Sequence, residues 1–487
     1  MLDYIYHILR SFRKLFSRRT TWIYFCVVIL GFIGASNMDG VSSFCCFWHL
    51  QTPGYLALLH LFRSSAWNLK DLLNYWENFV LSQNQTIKVN GRAVLIGDHT
   101  IVPKDGRRMP GVVTIHQDSE TQSKPQYFRG HYWGAISLLV GTLAESFALP
   151  LNLRIHQGFA HLRKDGTTDQ TPETMITRLV QMAIVFAVNQ NIPCILVLDA
   201  FFSVASVFNL AASVWSVAIK KPMVSIIVRS KKNYVAYFSV KQPEFRRPGR
   251  PLVYGDKVKL YEVFDHLYLF EKATLRVYGK NEQVSFMVSN LLWKTTGTLI
   301  RFVFALTSRG PIVLMCSDLE MSPLTAIELY CSRVRIETLF SMLKHLIGAF
   351  QYHFWSKRLP LHSRKPKKNQ KLKSPTQENL PNVQNCWECY ERFVALAAIA
   401  SGLLQLIALK FPNDVWAQSN LFLRTRSRSI PSEKTVKSVI TQMLIKDFLN
   451  VAPSPTMQEI LVHFLMDQDY VEDSKMSVEK ESARIGD

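Results

Sequence analysis

Three carboxylates stand apart in this chain by position: Asp98 follows the apolar run Ala-Val-Leu-Ile-Gly, Asp199 ends Ile-Leu-Val-Leu, and Glu337 lies inside a long amphipathic stretch. In α/β sheets, ligand-binding and catalytic groups gather at the ends of central strands. Two strand-end aspartates and a helix glutamate can converge on divalent cations. Their hard oxygens select Mg²⁺ or Mn²⁺, and two such ions about 3.5–4 Å apart can stabilise the attacking and leaving oxygens of a phosphodiester displacement. Each acid alone also has an ordinary reading, as a turn or cap residue for the aspartates and a solvated helix position for the glutamate.

The stretch around Glu337 adds partners. Tyr330, Arg333, Glu337 and Lys344 fall within an arc of about 60° at 100° per residue, whereas Leu329, Ile336, Leu339, Leu343 and Ile347 occupy a separate apolar face that sets the stripe's direction relative to a core. A phenol, a guanidinium and an ammonium beside a carboxylate suit a surface that grips phosphates and ligates metal. A solvated face carrying an i,i+4 Arg333–Glu337 pair has the same spacing, so periodicity leaves both readings open.

The surrounding elements must carry these groups to one place. Residues 1–84 read as a helical domain. Residues 85–229 read strand, strand, strand, helix, strand, helix, strand, with turns at Lys104-Asp105-Gly106 and Leu149-Pro150, a helix from Pro172 to about Asn189, and another over Val204–Lys220. This order predicts an α/β fold (α+β overall), a mixed sheet with helices on its faces. Residues 230–317 form a β-rich block with the basic turn Arg246-Arg247-Pro-Gly-Arg250, and Ser322-Pro323 starts a long helix to about Ala349 within 318–356. A basic linker at 357–385, including Lys365, Lys367 and Lys368, leads to a helical region at 386–487.

The string from Tyr330 to Lys344, YCSRVRIETLFSMLK, resembles the YREK signature of DDE-type insertion-sequence transposases, which have a retroviral-integrase-like RNase H fold. The segment LIGDHTIVPKDGRRMPG around Asp98 is similar to that family's first-aspartate region, and Asp199-Ala-Phe-Phe is similar to its second-aspartate motif. The β-rich block resembles its insertion domain in placement, so the likeness covers about Arg92 to Tyr352. It implies an RNase H-like catalytic core, interrupted by the β-rich insertion and flanked by helical N- and C-terminal domains, the former expected to bind DNA. It further implies that Asp98, Asp199 and Glu337 bind two Mg²⁺ ions, with Mn²⁺ able to substitute. One ion would activate water or later a DNA 3′-hydroxyl, and the other would stabilise the leaving 3′-oxygen. Arg333 and Lys344 would clamp phosphates and Tyr330 would hydrogen-bond one. Trp293 in the insertion block is a candidate receptor for a flipped base, with core packing as the alternative. The implied protein cuts double-stranded DNA at the ends of its element, joins the ends to target DNA and works as a homodimer in a paired-end complex. A catalytically inactive DNA-binding derivative and a nuclease of the same fold are the competing readings.

Composition is compatible with that partner. The 487 residues carry 57 Lys+Arg against 37 Asp+Glu, a formal charge of +20, which favours a polyanionic partner. With 48% apolar residues the chain can build large cores, which excludes wholesale disorder. Arg246, Arg247, Arg250 and the linker lysines are candidate DNA contacts whose contribution falls with salt, with a solvated loop and a solubilising tether as the respective alternatives; Lys104 and His99, near the first aspartate, read as phosphate-binding or as surface residues, and spacing does not favour the first. The eight cysteines have no framework spacing, and Cys386-Trp-Glu-Cys389 lacks a second pair for zinc, so a reducing compartment is expected; the resemblance implies a cytoplasmic, nucleoid-associated setting in a prokaryotic cell. The apolar run Thr21–Ala35 is shorter than the roughly twenty residues of a spanning helix and reads as a buried helix rather than a membrane anchor.

Overall fold

The computed structural model describes residues 1–116, 126–156, 174–240, 252–352, 354–365, 367, 373–420, 422 and 428–464. The chain is mixed α/β and divides into two compact units, one of Met1–Tyr75, Met342–Phe354 and Gln384–Asp487, the other of Trp76–Ser341 and Trp355–Val383.

The first unit is helical. It contains α1 (Leu2–Ser11), α2 (Arg19–Gly34), α3 (Val41–Trp48) and α4 (Thr52–Arg63). Helix α2 is apolar on all sides and nearly every side chain from Trp22 to Ile33 is buried, as expected of the Thr21–Ala35 run. The carbonyls at a helix C-terminus have no partner within the helix. Here the buried ammonium of Lys437 donates to three of them, on Phe32, Ile33 and Ala35, at 2.7–2.9 Å; burial lowers its pKa to about 8.

Helix α5 (Leu69–Ser82) belongs to the second unit from Trp76 onward, and in that unit follow β1 (Lys88–Val89), β2 (Arg92–Pro103), β3 (Val113–His116), β4 (Tyr127–Gly141) and β5 (Ser146–Ile155). Asn90 and Gly91, at φ 50° and 74°, make the tight β1–β2 turn, a conformation that Asn-Gly adopts at low cost. Then follow α6 (Met175–Asn189), β6 (Cys194–Leu198), α7 (Ala205–Ala212), the two-stranded ladder of β7 (Trp215–Ser216) and β8 (Lys221–Pro222), and β9 (Val224–Arg229). The later strands are β10 (Val235–Tyr237), β11 (Lys257–Lys259), β12 (Glu271–Val277), β13 (Lys280–Trp293), β14 (Thr298–Thr307) and β15 (Gly310–Cys316). Helices α8 (Pro323–Ser332) and α9 (Val334–Met342) complete the part that bears the site.

The described strands other than β7 and β8 form one mixed sheet in the order β11-β10-β13-β14-β15-β9-β6-β2-β4-β3, with β5 also on β4. At its centre β2, β6 and β9 are parallel, and β4 is antiparallel to β2. All five residues of β6 are buried, the continuous apolar run expected of a strand covered on both faces. The β-rich block extends this sheet, since β15 pairs with β9.

Several expected boundaries are corrected. Leu149-Pro150 is no turn: it lies within β5, opposite a register shift at Ile136/Ser137. Proline is tolerated there because, among the described residues, β5 pairs only with β4 and the missing N–H falls at an irregularity. The helix expected over Val204–Lys220 ends at Ala212, because its last residues enter the β7–β8 ladder. Helix α6 starts after a Thr174–Thr177 capping box, while Pro172 lies outside the described residues. The basic linker gives way to helix at Leu380, where α10 (Leu380–Lys410) begins. The stretch Gln377–Lys410 is long and apolar enough to cross a membrane by length and composition, but most of it is buried.

Glu77, in α5, is 4% exposed and receives a hydrogen bond from Gln190 Nε2 at 3.2 Å. Burial pushes its carboxyl up to about 7. An unfolded glutamate ionises near 4.3, so between that pH and 7 the unfolded chain has shed a proton that the folded chain keeps. Stability therefore falls as pH rises through this window. Glu77→Gln is expected to raise Tm at pH 8 relative to the wild type and to lose that advantage at pH 4; an equal Tm difference at both pH values would refute the assignment.

Candidate active site

Strand register brings the first charges together. Ile96, Val197 and Ile227 are paired across β2, β6 and β9. Two residues further along these parallel strands, on the same face, come Asp98, Asp199 and Arg229. The chain therefore sets two carboxylates and a guanidinium side by side at the carboxyl ends of three central strands.

Helices α8 and α9 bring the second layer. The Tyr330 hydroxyl lies 3.5 Å from Asp199 Oδ1. Arg333 Nη1 donates to Asp98 Oδ2 at 2.8 Å and Arg333 Nη2 to Glu337 Oε1 at 2.9 Å. The long helix expected here is interrupted at Arg333, where Arg333 N–H bonds Tyr330 O and Ile336 N–H bonds Arg333 O, the i to i−3 spacing of a tightened turn. Arg333 is thus the hub between the strand-borne and helix-borne acids. Its side chain is 13% exposed, against 57% for Glu337.

Burial pushes the Asp98 carboxyl up to about 6; Arg333 and the His99 N–H pull it down, and Asp199 raises it further. The His99 N–H donates to Asp98 Oδ1 at 2.7 Å. Its ring stacks on Phe202, with centroids 5.1 Å apart and planes at 17°, while Phe202 N–H bonds Asp199 O. This stack ties the turn after Asp199 to the strand of Asp98. The His99 ring also meets His156, Nε2 to Nδ1 at 2.9 Å, and burial lowers its pKa to about 4. A neutral imidazole fixed in this way orients the aspartates and offers no positive charge to a phosphate. Lys104 is not a surface residue either: it is 3% exposed and burial lowers its pKa to about 7.

Gly97 lets α6 approach the sheet beside Asp98. A Cβ there would stand 2.6 Å from Leu179 Cδ2 and 2.9 Å from Leu198 Cδ2. Gly97→Ala is expected to cost about 1–3 kcal/mol through overpacking, measured by urea unfolding. Unchanged stability would show that the two leucines simply rotate away.

Asp98, Asp199, Tyr330, Arg333 and Glu337 are therefore gathered, whereas Lys344 belongs to the other unit, in the π-helical turn Leu343–Ile347. Trp293 is 4% exposed and packs on Phe208 and Tyr234, which favours the core alternative for this ring. Arg246, Arg247, Arg250 and Lys368 lie outside the described residues; Lys365 and Lys367 are exposed. Cys386 and Cys389 lie within α10, and among the described residues no three His, Cys, Asp or Glu side chains are grouped to hold a metal ion. Asp98 and Glu337 instead share the Arg333 guanidinium. Arg229 was not apparent in the sequence; its only signal is that it ends the apolar run Val-Ser-Ile-Ile-Val, as Asp199 ends its own strand.

No family model matches the chain, and no curated protein matches it either.

Proposed function

We propose that the chain is a DNA transposase of the DDE type, acting by metal-dependent phosphoryl transfer. The observation that carries this reading is the meeting of Asp98 and Glu337 on Arg333, with Tyr330 of the same helical stretch approaching Asp199. The order β9-β6-β2-β4-β5 supports an RNase H-like core: the antiparallel strands β2, β4 and β5, with the short β3 between β2 and β4 in the chain, are followed by β6 and β9 parallel to β2.

Carboxylate oxygens are the donor type that a hard cation selects. Asp98 and Glu337 share one bridging guanidinium, Asp199 stands at the end of the neighbouring strand, and the desolvated Asp98 gains most from added positive charge. Asp98, Asp199 and Glu337 would hold Mg²⁺ or Mn²⁺, which supplies charge stabilisation at the phosphoryl oxygens. Arg333 keeps the acids compensated when no substrate is present, and its fork suits a phosphate equally well. Tyr330 directs a hydroxyl to the Asp199 side, and the Phe202–His99 stack holds the two aspartates in register. The +20 charge suits duplex DNA, both element ends and target, with two copies of the chain needed to pair two ends. A cytoplasmic, nucleoid-associated setting follows from that substrate.

The test uses DNA from the flanks of the coding region, Mg²⁺ and a supercoiled target plasmid. Cleavage at the inverted repeats with joining to the plasmid is expected. Ends released without joining identify a nuclease of the same fold. Binding without nicking in either Mg²⁺ or Mn²⁺ identifies a DNA-binding protein without catalysis.

A further inference from the structure

Between β11 and β12, the short 3-10 helical stretch Glu262–Leu269 holds no buried residue. Phe264 fixes it to the block, with its ring centroid 5.5 Å from that of Phe270 and 6.2 Å from that of Phe304 in β14. The backbone leaves the helical range at His266 (φ −114°, ψ 50°), and the next three side chains are open to solvent: Leu267 is 48% exposed, Tyr268 81% and Leu269 53%. A single exposed apolar residue is ordinary on a protein surface. Three in succession beside charged neighbours mark a contact surface. The charge on the two sides of this apolar centre is opposite. Residues 260–271 carry Glu262, Asp265 and Glu271 and no lysine or arginine, in a chain of formal charge +20. Beyond them β12 presents Lys272 and Arg276 to solvent, while Leu275 and Val277, on its other face, are buried. Glu262 also pairs with Lys259, but both side chains are 61% exposed, so the pair is weak and leaves the carboxylate within reach of another cation.

We infer that Leu267, Tyr268 and Leu269 form the centre of a two-fold contact with a second copy of this chain, made without DNA. In such a contact the same patch meets itself turned by half a revolution. The three apolar side chains of one copy then pack on those of the other. Glu262 and Asp265, on the N-terminal side of Tyr268, meet Lys272 and Arg276 of the opposite copy, and the reverse pair forms across the axis. Two chains of +20 repel at long range, so a patch that sets local acids against local bases is where close approach is least opposed. Tyrosine suits its centre because it combines a large apolar ring with a polar tip. Three side chains cover only part of the roughly 800 Å² that a stable interface buries on each partner, so the dimer is reversible and depends on concentration. The inference goes beyond the transposase reading and stands without it, because the contact uses none of the acids at the strand ends.

The experiment follows the full-length protein, freed of nucleic acid, by sedimentation velocity across a wide range of concentration in about 0.15 M salt. A monomer–dimer equilibrium is expected for the wild type. Leu267→Ser with Tyr268→Ser is expected to weaken it about thirtyfold, with thermal unfolding unchanged because neither side chain is buried. Reversing the acidic side alone, Glu262→Lys with Asp265→Lys, or the basic side alone, Lys272→Glu with Arg276→Glu, is expected to weaken it about tenfold. All four reversals in one chain should restore it, since each side again meets its opposite. A wild type that stays monomeric at every concentration overturns the proposal, as does a dimer indifferent to the loss of Leu267 and Tyr268, which would place the contact elsewhere. A chain with all four reversals that associates no better than the one-sided variants overturns the two-fold arrangement. DNA cleavage is no part of the readout, so the transposase reading stands or falls on its own experiment.

Discussion

Glu337→Gln is expected to lower Mg²⁺-dependent cleavage of end DNA by about 10³-fold, a loss of roughly 4 kcal/mol of transition-state stabilisation. Glutamine keeps the shape of the side chain and an oxygen that still accepts from Arg333 Nη2, now 2.9 Å from Glu337 Oε1. What disappears is the negative charge needed to hold a cation. Because the Glu337 side chain is 57% exposed, the fold should be affected by no more than about 0.5 kcal/mol. Cleavage rate and thermal unfolding measured on the same preparation separate the two effects. A variant that cleaves at the wild-type rate removes Glu337 from the mechanism; one that loses cleavage together with its cooperative unfolding says nothing for a catalytic role and counts against the surface placement of this side chain.

The largest expected effect on stability is at Asp318. Arg92 Nη1 donates to Asp318 Oδ2 at 2.7 Å and to Ser225 Oγ at 3.1 Å, and both charged side chains are 4% exposed. Lys221 Nζ donates to Asp318 Oδ1 at 2.8 Å. The cluster pins the first residue of β2 to β9 and to the segment entering α8, the three elements that present Asp98, Arg229 and Tyr330. Asp318→Ala leaves Arg92 buried without a counter-charge and is expected to cost about 3–5 kcal/mol. Replacing both partners, Arg92→Met with Asp318→Leu, should be milder than the single change, because the stranded charge is what costs most. Urea unfolding at pH 7 decides: a double variant less stable than Asp318→Ala would contradict this account.

The same carboxylate predicts an acid limit. Burial alone would raise its pKa, but hydrogen bonds from Lys221, the Glu320 N–H and Arg92 hold it below the ordinary value. The stability it contributes is fully present above the unfolded pKa, near 3.9. That contribution is lost as pH falls through the lower folded value.

Much of the site was legible because strand ends and helical periodicity are local. Asp98 and Asp199 end apolar runs, and four-residue spacing alone makes an Arg333–Glu337 contact possible. Other expectations failed where local signals met tertiary constraint. Leu149-Pro150 carries a turn signature but lies in β5, opposite a register shift in its partner β4. The run after Val204 has helical spacing, but its last residues find ladder partners instead. Spacing left Lys104 and His99 open between phosphate-binding and surface roles; Lys104 is buried, and His99 is held by His156 and Phe202 from distant parts of the chain.

The types and order of the groups that can do chemistry were determined by the sequence itself: three carboxylates, a tyrosine and an arginine, each on an element whose apolar pattern forces one face inward. The alternation of strand and helix that sets β2, β6 and β9 parallel was equally local. Only the tertiary structure decided which of those groups meet. Pairing of Ile96 with Val197 and of Val197 with Ile227 is non-local, and a slip of one residue would send Asp98 and Asp199 to opposite faces of the sheet. That register, with the turn at Arg333, makes one guanidinium compensate two acids and places Arg229 beside Asp199.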